Sequence, residues 1–295
     1  MNLENFGMDT VTLAGPLEGK LRAVREAGFT QIMLSARDLV EHPGGVDAAA
    51  ALVRKSGLRV TGFQVLRDFE GLSGHLHAYK LDVAKAMLGM CCSLGSRLLL
   101  VCSSTSTHAS DDPEALARDL RKLATLAIPL GIRIAYEALS WGKHVKEFPQ
   151  ASSIVAAANC PNLGLGLDAF HQLATNTALD QLDLIDAEKV FLVQLSDFMW
   201  RELPSIEERI NTARHFRVFP GEGLHAAFVA EFVQRLDDRG YRGDYSFEVF
   251  NDDYTQLPPA VVTARARASA KWITDHVSRR SLPVRRPPRE AGKAA

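Results

Sequence analysis

The amino-acid sequence predicts an α/β protein with the closed (β/α)8 architecture of a TIM barrel. Strand-like and helical patterns alternate along nearly the whole chain, which is typical of parallel β-α-β units. A recurring unit supports this prediction: an amphipathic run ends at a glycine suited to a helix C-cap, and an apolar, partly β-branched run follows. The glycines of this unit are Gly28, Gly57, Gly95, Gly131 and Gly240. The length of 295 residues is also usual for one barrel domain.

The predicted elements follow one another as strand and helix. Strands are expected near residues 8–13, 30–35, 59–64, 98–103, 132–137, 163–168, 190–195 and 244–249. Helices are expected near residues 16–27, 45–56, 75–94, 113–129, 149–159, 170–177, 223–239 and 258–277. Leu17, Leu21 and Val24 give the first helix its apolar spacing. Asp112 and Pro113 open the fourth helix as a cap residue followed by proline at the first helical position.

A doubly wound open sheet that binds a nucleotide is the structural alternative. Such a fold carries the motif G-x-G-x-x-G where its first strand meets its first helix. At that point this chain reads Thr12-Leu13-Ala14-Gly15-Pro16, so a nucleotide fold is not expected.

Two stretches depart from the repeating pattern. The connection from about Ser196 to Gly223 is longer than an ordinary barrel loop and carries polar and aromatic residues, as lids and binding loops do. From residue 279 the chain is basic, rich in proline and without a core pattern. We therefore predict a catalytic barrel domain over residues 1–278 and a disordered tail over 279–295, with a partner-binding tail as the alternative.

Composition excludes several classes of function. The chain is 46% hydrophobic and 23% charged, as in an ordinary globular protein, and its formal net charge of −1 argues against nucleic acid and membrane surfaces as partners. The N-terminus lacks the pattern of a leader peptide, and no apolar run reaches about 18 residues. The cysteines lack metal-binding spacing and are expected to be small buried residues in a reducing cytoplasm. They are Cys91, Cys92, Cys102 and Cys160.

Four predicted strands of the second half end in a side chain that can bind a metal ion. These side chains are Glu137, Asp168, Gln194 and Glu248. In a parallel barrel the carboxyl ends of the strands meet on one face, where catalytic groups lie. Carboxylates brought together there repel one another unless a cation lies among them. Oxygen ligands favour Mn²⁺ or Mg²⁺, with Co²⁺ as an alternative, and the lack of His and Cys ligands argues against Zn²⁺.

Further candidate site residues surround these four. His171 follows Asp168 by three residues and could face the same cavity as a catalytic group. Lys143 and His144 lie on the loop after Glu137, as a substrate-binding and a catalytic candidate. Two arginines, one after the third strand and one in the long connection, could hold an anionic substrate group or form surface ion pairs. They are Arg67 and Arg217.

Several segments make the chain recognisable as similar to a known superfamily. They are Thr10–Gly15, Arg67–Gly71, Tyr136–Gly142, Asp168–His171, Val193–Asp197, Arg217–Gly223 and Phe247–Asn251. Over residues 6–275 the chain resembles the xylose-isomerase-like barrels, and within them the metal-dependent 3-dehydroshikimate dehydratases. This resemblance implies four metal ligands, Glu137, Asp168, Gln194 and Glu248, and substrate contacts from Arg67, His171 and Arg217.

Three features locate the chain within that superfamily. Gln194 stands where the ketose 3-epimerases usually carry His, which favours the dehydratase branch. In contrast, the dehydratases tend to carry an acidic segment after the second strand, where this chain reads Met33-Leu34-Ser35-Ala36-Arg37-Asp38. The pocket wall near Arg37 is therefore expected to differ. The chain is also expected to lack the second domain that some members carry beyond the barrel.

The predicted chemistry is proton abstraction next to a carbonyl group, with a metal-stabilised enolate. A dehydratase then expels the β-hydroxyl, and 3-dehydroshikimate would give aromatic protocatechuate. His171 is the expected base or proton shuttle, with His144 as its alternate, and Arg67 and Arg217 would hold the substrate carboxylate. A sugar or sugar-phosphate isomerase or epimerase is the first alternative, and a barrel that binds a metabolite without turnover is the second. A small-molecule substrate is the expected partner, and homo-oligomerisation is left open.

Overall fold

Eight parallel strands close into a barrel in the computed structural model, which describes residues 1–280. Within these residues the strands are β1 (Phe6–Asp9), β2 (Gln31–Ser35), β3 (Arg59–Arg67), β4 (Leu98–Cys102), β5 (Arg133–Glu137), β6 (Leu163–Asp168), β7 (Val190–Leu195), β8 (Asp197–Phe198), β9 (Arg217–Val218) and β10 (Tyr245–Phe247). Strands β8 and β9 form a separate antiparallel pair, and the other strands close the barrel through pairing of β1 with β10. The predicted fold class is confirmed.

The helices surround the barrel. They are α1 (Leu17–Glu26), α2 (Ala36–Val40), α3 (Gly45–Ser56), α4 (Gly74–Leu94), α5 (Pro113–Ala127), α6 (Phe148–Ala158), α7 (Ala169–Thr175), α8 (Ile206–His215), α9 (Ala226–Asp238) and α10 (Pro259–Arg280). The five glycines of the recurring unit all have positive φ, between 65° and 91°, which side chains rarely adopt. Each therefore ends a helical segment as predicted.

The core has two parts because successive strand residues point to opposite faces. Leu99 and Val101 of β4 pack with the helices in the larger cluster. Leu98, Leu100 and Cys102 alternate with them and pack with strand residues in a smaller cluster that includes no helix residue. This smaller cluster fills the inside of the barrel. Cys102 thus points inward at the carboxyl end of its strand.

Local capping explains where the structure differs from the predicted elements. The first strand was predicted over residues 8–13, but it ends at Asp9, whose side chain accepts a hydrogen bond from the Val11 N–H at 3.0 Å and caps a 3-10 turn. Helices α2 and α8 were not predicted, although a capping box opens each of them, at Ser35 and at Ser205. The connection over 196–223 therefore contains a strand pair and a helix.

Three further predictions concern the ends and the exterior of the chain. Helix α10 extends to Arg280, two residues into the segment predicted to be disordered, and the rest of that tail lies outside the described residues. Three cysteines are buried as predicted, but the prediction was wrong for Cys92, which is exposed. No helix within residues 1–280 is long and apolar enough to cross a membrane.

Candidate active site

The four predicted metal ligands lie at the carboxyl ends of four neighbouring strands. Glu137 and Asp168 are the last residues of β5 and β6, Gln194 lies near the end of β7, and Glu248 directly follows β10. Strand register aligns Gln194 with Asp168 on one side and with Ser246 on the other. All four side chains are buried. We call them the floor of the site.

Burial and neighbouring negative charge raise the pKa of two floor carboxyls, Glu137 and Glu248. The pKa of Glu137 lies well above its ordinary value because the group is buried and because Asp168 and Glu248 add negative charge. Burial also raises the pKa of Glu248, against the opposing effect of Arg217. A bound cation would favour the charged forms.

Several floor atoms have no hydrogen-bond partner among the described residues. They are Oε1 of Glu137 and both Oε1 and Nε2 of Gln194. Buried polar atoms normally have a partner, so these atoms indicate a group that binds here. One ligand atom from each of Glu137, Asp168 and His171 also lies within 4.8 Å of the others. The residues therefore fit a metal ion.

Arg217 lies in the floor rather than at the rim. Strand β9 pairs with β8, directly after β7, and this brings the guanidinium inward. Its Nη1 donates to Asp168 Oδ2 at 2.6 Å and to Glu248 Oε2 at 3.1 Å, and the guanidinium lies 4.4 Å above the Phe170 ring. Sequence reasoning assigned Arg217 to the substrate carboxylate; in the structure Nη1 instead balances two floor carboxylates.

The net negative charge of the ionised floor favours binding of a divalent cation. Glu137, Asp168 and Glu248 would carry three negative charges when ionised, and Arg217 supplies one positive charge. Without counting the neighbouring carboxyl of Asp9, two negative charges remain uncompensated in a buried cluster, and a divalent ion would offset them. Asp168 also caps helix α7, since its Oδ1 accepts from the Phe170 N–H at 2.9 Å. The helix cap fixes this carboxylate in position.

His171 faces the cavity above the floor in a defined tautomer. The Ser140 backbone N–H donates to His171 Nδ1 at 3.2 Å, which assigns the ring proton to Nε2. Burial lowers the pKa of the imidazole to about 4, so the ring is neutral at pH 7. In this tautomer the ring offers a hydrogen-bond donor, which favours the predicted proton shuttle over the predicted base. The prediction against Zn²⁺ assumed that no His lies at the site, and the position of His171 contradicts that assumption.

A cavity of about 1400 Å³ opens above the floor. Its lining includes Glu137, His171, Arg217 and Glu248, whereas Asp168 and Gln194 are not among the lining residues. Other lining residues come from the ends of the first, third and fourth strands, from the loop after the fifth strand and from α8; they include Val11, Gln64, Arg67, Cys102, Trp141 and Arg214.

The cavity wall carries two guanidinium groups that have no hydrogen-bond or ion-pair partner within residues 1–280. They belong to Arg67 and Arg214. Sequence reasoning selected Arg67 but missed Arg214, because helix α8 was not predicted. In contrast, Arg37 forms an ion pair with Glu41 at 2.8 Å. Arg67 and Arg214 are therefore available to an anionic ligand.

Two predicted site residues are not brought to the cavity. The His144 Nε2 bonds the Ala109 carbonyl at 3.0 Å, and Lys143 is exposed, with its backbone N–H bonded to the Ser104 carbonyl at 2.7 Å. Ser103 holds this loop down, since its hydroxyl donates to the Val145 carbonyl at 2.8 Å. The loop therefore turns both side chains away from the cavity lining.

Asp9 is a floor-level carboxyl that sequence reasoning missed. It lies at the end of β1, is fully buried, and accepts a hydrogen bond from Gln64. Burial and the charge of Glu248 raise its pKa well above the ordinary value. The available signal was the same as for the other floor residues, a carboxylate at a strand end. It was lost because the first strand was placed too late in the sequence.

Comparisons with known proteins agree with this geometry. Residues 21–276 match the family model of the xylose isomerase-like TIM barrels. The chain is 38% identical over 249 residues to a 3-dehydroshikimate dehydratase of Pseudomonas aeruginosa, covering 84% of this chain and 38% of that relative. It is 31% identical over 149 residues to an inosose isomerase of Halalkalibacterium halodurans, covering half of each.

One solved structure extends the comparison to three dimensions. It is a xylose isomerase-like TIM barrel/4-hydroxyphenylpyruvate dioxygenase fusion protein, with a TM-score of 0.87, 33% identity, and coverage of 94% of this chain and 43% of that one. The chain thus spans less than half of both the dehydratase and the fusion protein. On the family model, the closed barrel and the strand-end site, the chain belongs to the xylose isomerase-like TIM barrel family.

Proposed function

We propose that this chain is a divalent-metal-dependent dehydratase that converts 3-dehydroshikimate, a cyclic keto-hydroxy acid, to protocatechuate. The observation that carries the proposal is the buried floor with unpartnered ligand atoms, beneath a cavity whose wall holds unpaired guanidinium groups. The 38% identity to a protein named 3-dehydroshikimate dehydratase supports the choice of reaction.

Glu137, Asp168, Gln194 and Glu248 would hold the metal. The chemistry supplied by a divalent ion in such a site is Lewis-acid polarisation of a carbonyl oxygen, which acidifies the neighbouring C–H bond. Mn²⁺ and Mg²⁺ suit the oxygen donors. Co²⁺ or Zn²⁺ would suit a ligand set that includes His171, whose Nε2 would then hold the metal in place of its proton. Reconstitution of chelated protein with each metal in turn would identify the active ion.

Side chains of the protein would bind the substrate carboxylate and assist the departure of the hydroxyl group. Arg67 is placed to bind the substrate carboxylate, because its guanidinium is unpaired and lines the cavity. His171 presents its Nε2 proton to the substrate oxygen that leaves. Trp141 packs against the His171 ring at 5.0 Å between ring centres, which keeps the imidazole in place and shields it from water.

The reaction balances as the loss of one water molecule. A base takes the proton from the carbon next to the ketone, the electron pair of that C–H bond expels the β-hydroxyl as its C–O bond breaks, and the proton passes from the base to the leaving hydroxide. A proton of the ring CH2 group then moves to the ketone oxygen, which gives the aromatic product. A neutral imidazole can donate a hydrogen bond to that oxygen without becoming charged in a buried site. Aromatisation of the ring makes the step strongly favourable.

Ultraviolet absorbance tests the proposal. Purified protein is treated with a chelator, dialysed, supplemented with Mn²⁺ and mixed with 3-dehydroshikimate. The expected result is a rise of protocatechuate absorbance that requires the metal and is lost in Glu248→Ala. Metal-loaded protein that produces no absorbance change would refute the dehydratase assignment.

An isomerase is the second candidate, favoured by the relative named inosose isomerase. An isomerase conserves the composition of its substrate, so it produces no aromatic chromophore and exchanges substrate hydrogen with solvent. Deuterium exchange without a rise in absorbance would support it. The cytoplasmic location stays a prediction from the sequence, and homo-oligomerisation stays open.

A further inference from the structure

The Cys102 thiol lies against one of the proposed metal ligands. Cys102 ends β4 and pairs in register with Glu137, which ends β5, so the two side chains lie side by side. The thiol donates to Glu137 Oε2 at 3.1 Å. Cys102 is buried, lines the cavity, and is free rather than in a disulfide.

This contact makes the two carboxylate oxygens of Glu137 different from each other. Oε2 accepts a hydrogen bond from the thiol, whereas Oε1 is buried and has no hydrogen-bond partner within residues 1–280. A carboxylate whose two oxygens were equally free could rotate and offer either or both to a cation. A donor on one oxygen restricts that rotation, and second-shell donors of this kind tune metal sites in proteins.

We propose that Cys102 is a positioning residue for the metal site: its thiol engages Glu137 Oε2 and leaves Oε1 as the oxygen for the cation. The inference rests on the proposed metal site but not on the identity of the substrate. A thiol has one proton to give and little affinity for Mn²⁺ or Mg²⁺, so it can orient the carboxylate without replacing it as a ligand.

Metal titration of three variants tests this role. Mn²⁺ is titrated into chelated wild-type protein, Cys102→Ala, Cys102→Ser and the control Cys91→Ser, with binding followed by calorimetry or by the Mn²⁺ electron paramagnetic resonance signal. A parallel calorimetric series uses Zn²⁺. Cys91 is buried in α4, belongs to the larger core cluster, and is not among the residues that line the cavity. The Tm of each metal-free variant is measured in parallel.

The expected result is a Kd for Mn²⁺ raised about tenfold or more in Cys102→Ala. Cys102→Ser, whose hydroxyl can donate to the same oxygen, should bind close to wild type. Cys91→Ser should bind like wild type. A merely structural role would lower the Tm of Cys102→Ala without this difference between alanine and serine.

Four outcomes would overturn the proposal. Two concern the variants: an unchanged Kd for Mn²⁺ in Cys102→Ala, or Mn²⁺ binding weakened equally in Cys102→Ala and Cys102→Ser. The third is that wild type does not bind Mn²⁺. The fourth is that Cys102→Ala loses affinity for Zn²⁺ only, which would make the thiol a direct ligand. Turnover of 3-dehydroshikimate is assayed separately. Wild type that binds Mn²⁺ as expected but produces no protocatechuate refutes the substrate assignment and leaves the role of Cys102 standing.

Discussion

Replacing Gln194 by Met should stabilise the metal-free protein while it weakens metal binding. Gln194 is fully buried, and neither amide atom has a hydrogen-bond partner among the described residues. Methionine has nearly the same length and volume and carries no strong polar group. The substitution therefore removes two unsatisfied atoms and keeps the packing.

The magnitude follows from the cost of burying an unpaired polar group. An unsatisfied buried donor or acceptor costs about 1–3 kcal/mol, so removing both atoms should raise the free energy of unfolding by at least about 1 kcal/mol. Loss of one metal ligand should at the same time weaken Mn²⁺ binding by about tenfold or more, as loss of a supporting partner alone does. The substitution should therefore raise the free energy of unfolding of the metal-free protein and reduce the additional stability that bound Mn²⁺ gives.

Urea unfolding with chelator and with saturating Mn²⁺ measures both effects. Gln31→Met is the matched control, because Gln31 is buried and bonded at both amide atoms. Its Nε2 donates to the Glu4 carbonyl at 2.7 Å, and its Oε1 accepts from Arg59 Nη2 at 3.2 Å. This control should be less stable than wild type with chelator. A Gln194→Met protein that also loses stability with chelator would refute the reasoning, since Gln194 would then have partners.

Three further perturbations have defined outcomes. Arg217→Met leaves Asp168 and Glu248 without the guanidinium that both contact. The free energy of unfolding of chelator-treated protein, measured with urea, should fall by about 3–5 kcal/mol, and by less when Mn²⁺ is present. Arg67→Ala should raise KM for an acid substrate about tenfold or more with a smaller change in kcat in steady-state assays, whereas removal of the already paired Arg37 should leave KM unchanged. Burial raises the pKa of Glu70 to about 7, so stability should fall as pH rises through 7 and should vary less in Glu70→Gln, as Tm from pH 5 to 8 would show.

The floor residues could be predicted from the sequence because their positions depend on the strand topology. Parallel strands present their carboxyl ends on one face, so the residue at each strand end could be placed without knowing any side-chain contact. Glu137, Asp168, Gln194 and Glu248 all followed from that rule. Asp9 obeys the same rule and was missed only through a strand boundary a few residues wrong.

Loop residues could not be placed in the same way. His144 and Lys143 follow a strand end closely, yet two hydrogen bonds turn their loop away from the cavity. The Ser103 hydroxyl donates to the Val145 carbonyl, and the Ser104 carbonyl accepts from the Lys143 N–H. Arg217 was selected correctly as a site residue, but its contacts depend on the pairing of two short strands in the long connection. Those pairings are tertiary, and no local pattern in the sequence specifies them.

The charges of the floor and of the wall together indicate where an acid substrate would bind. One divalent ion would cancel the charge that the floor carboxylates and Arg217 leave, so the floor would retain no excess positive charge for an anionic group. Such a group must be held at the wall, where Arg67 and Arg214 are unpaired. A keto acid can meet both requirements, with its carbonyl toward the floor and its carboxylate at the wall. A neutral polyol ketone would leave both guanidinium groups unused, and its KM should then be insensitive to Arg67→Ala.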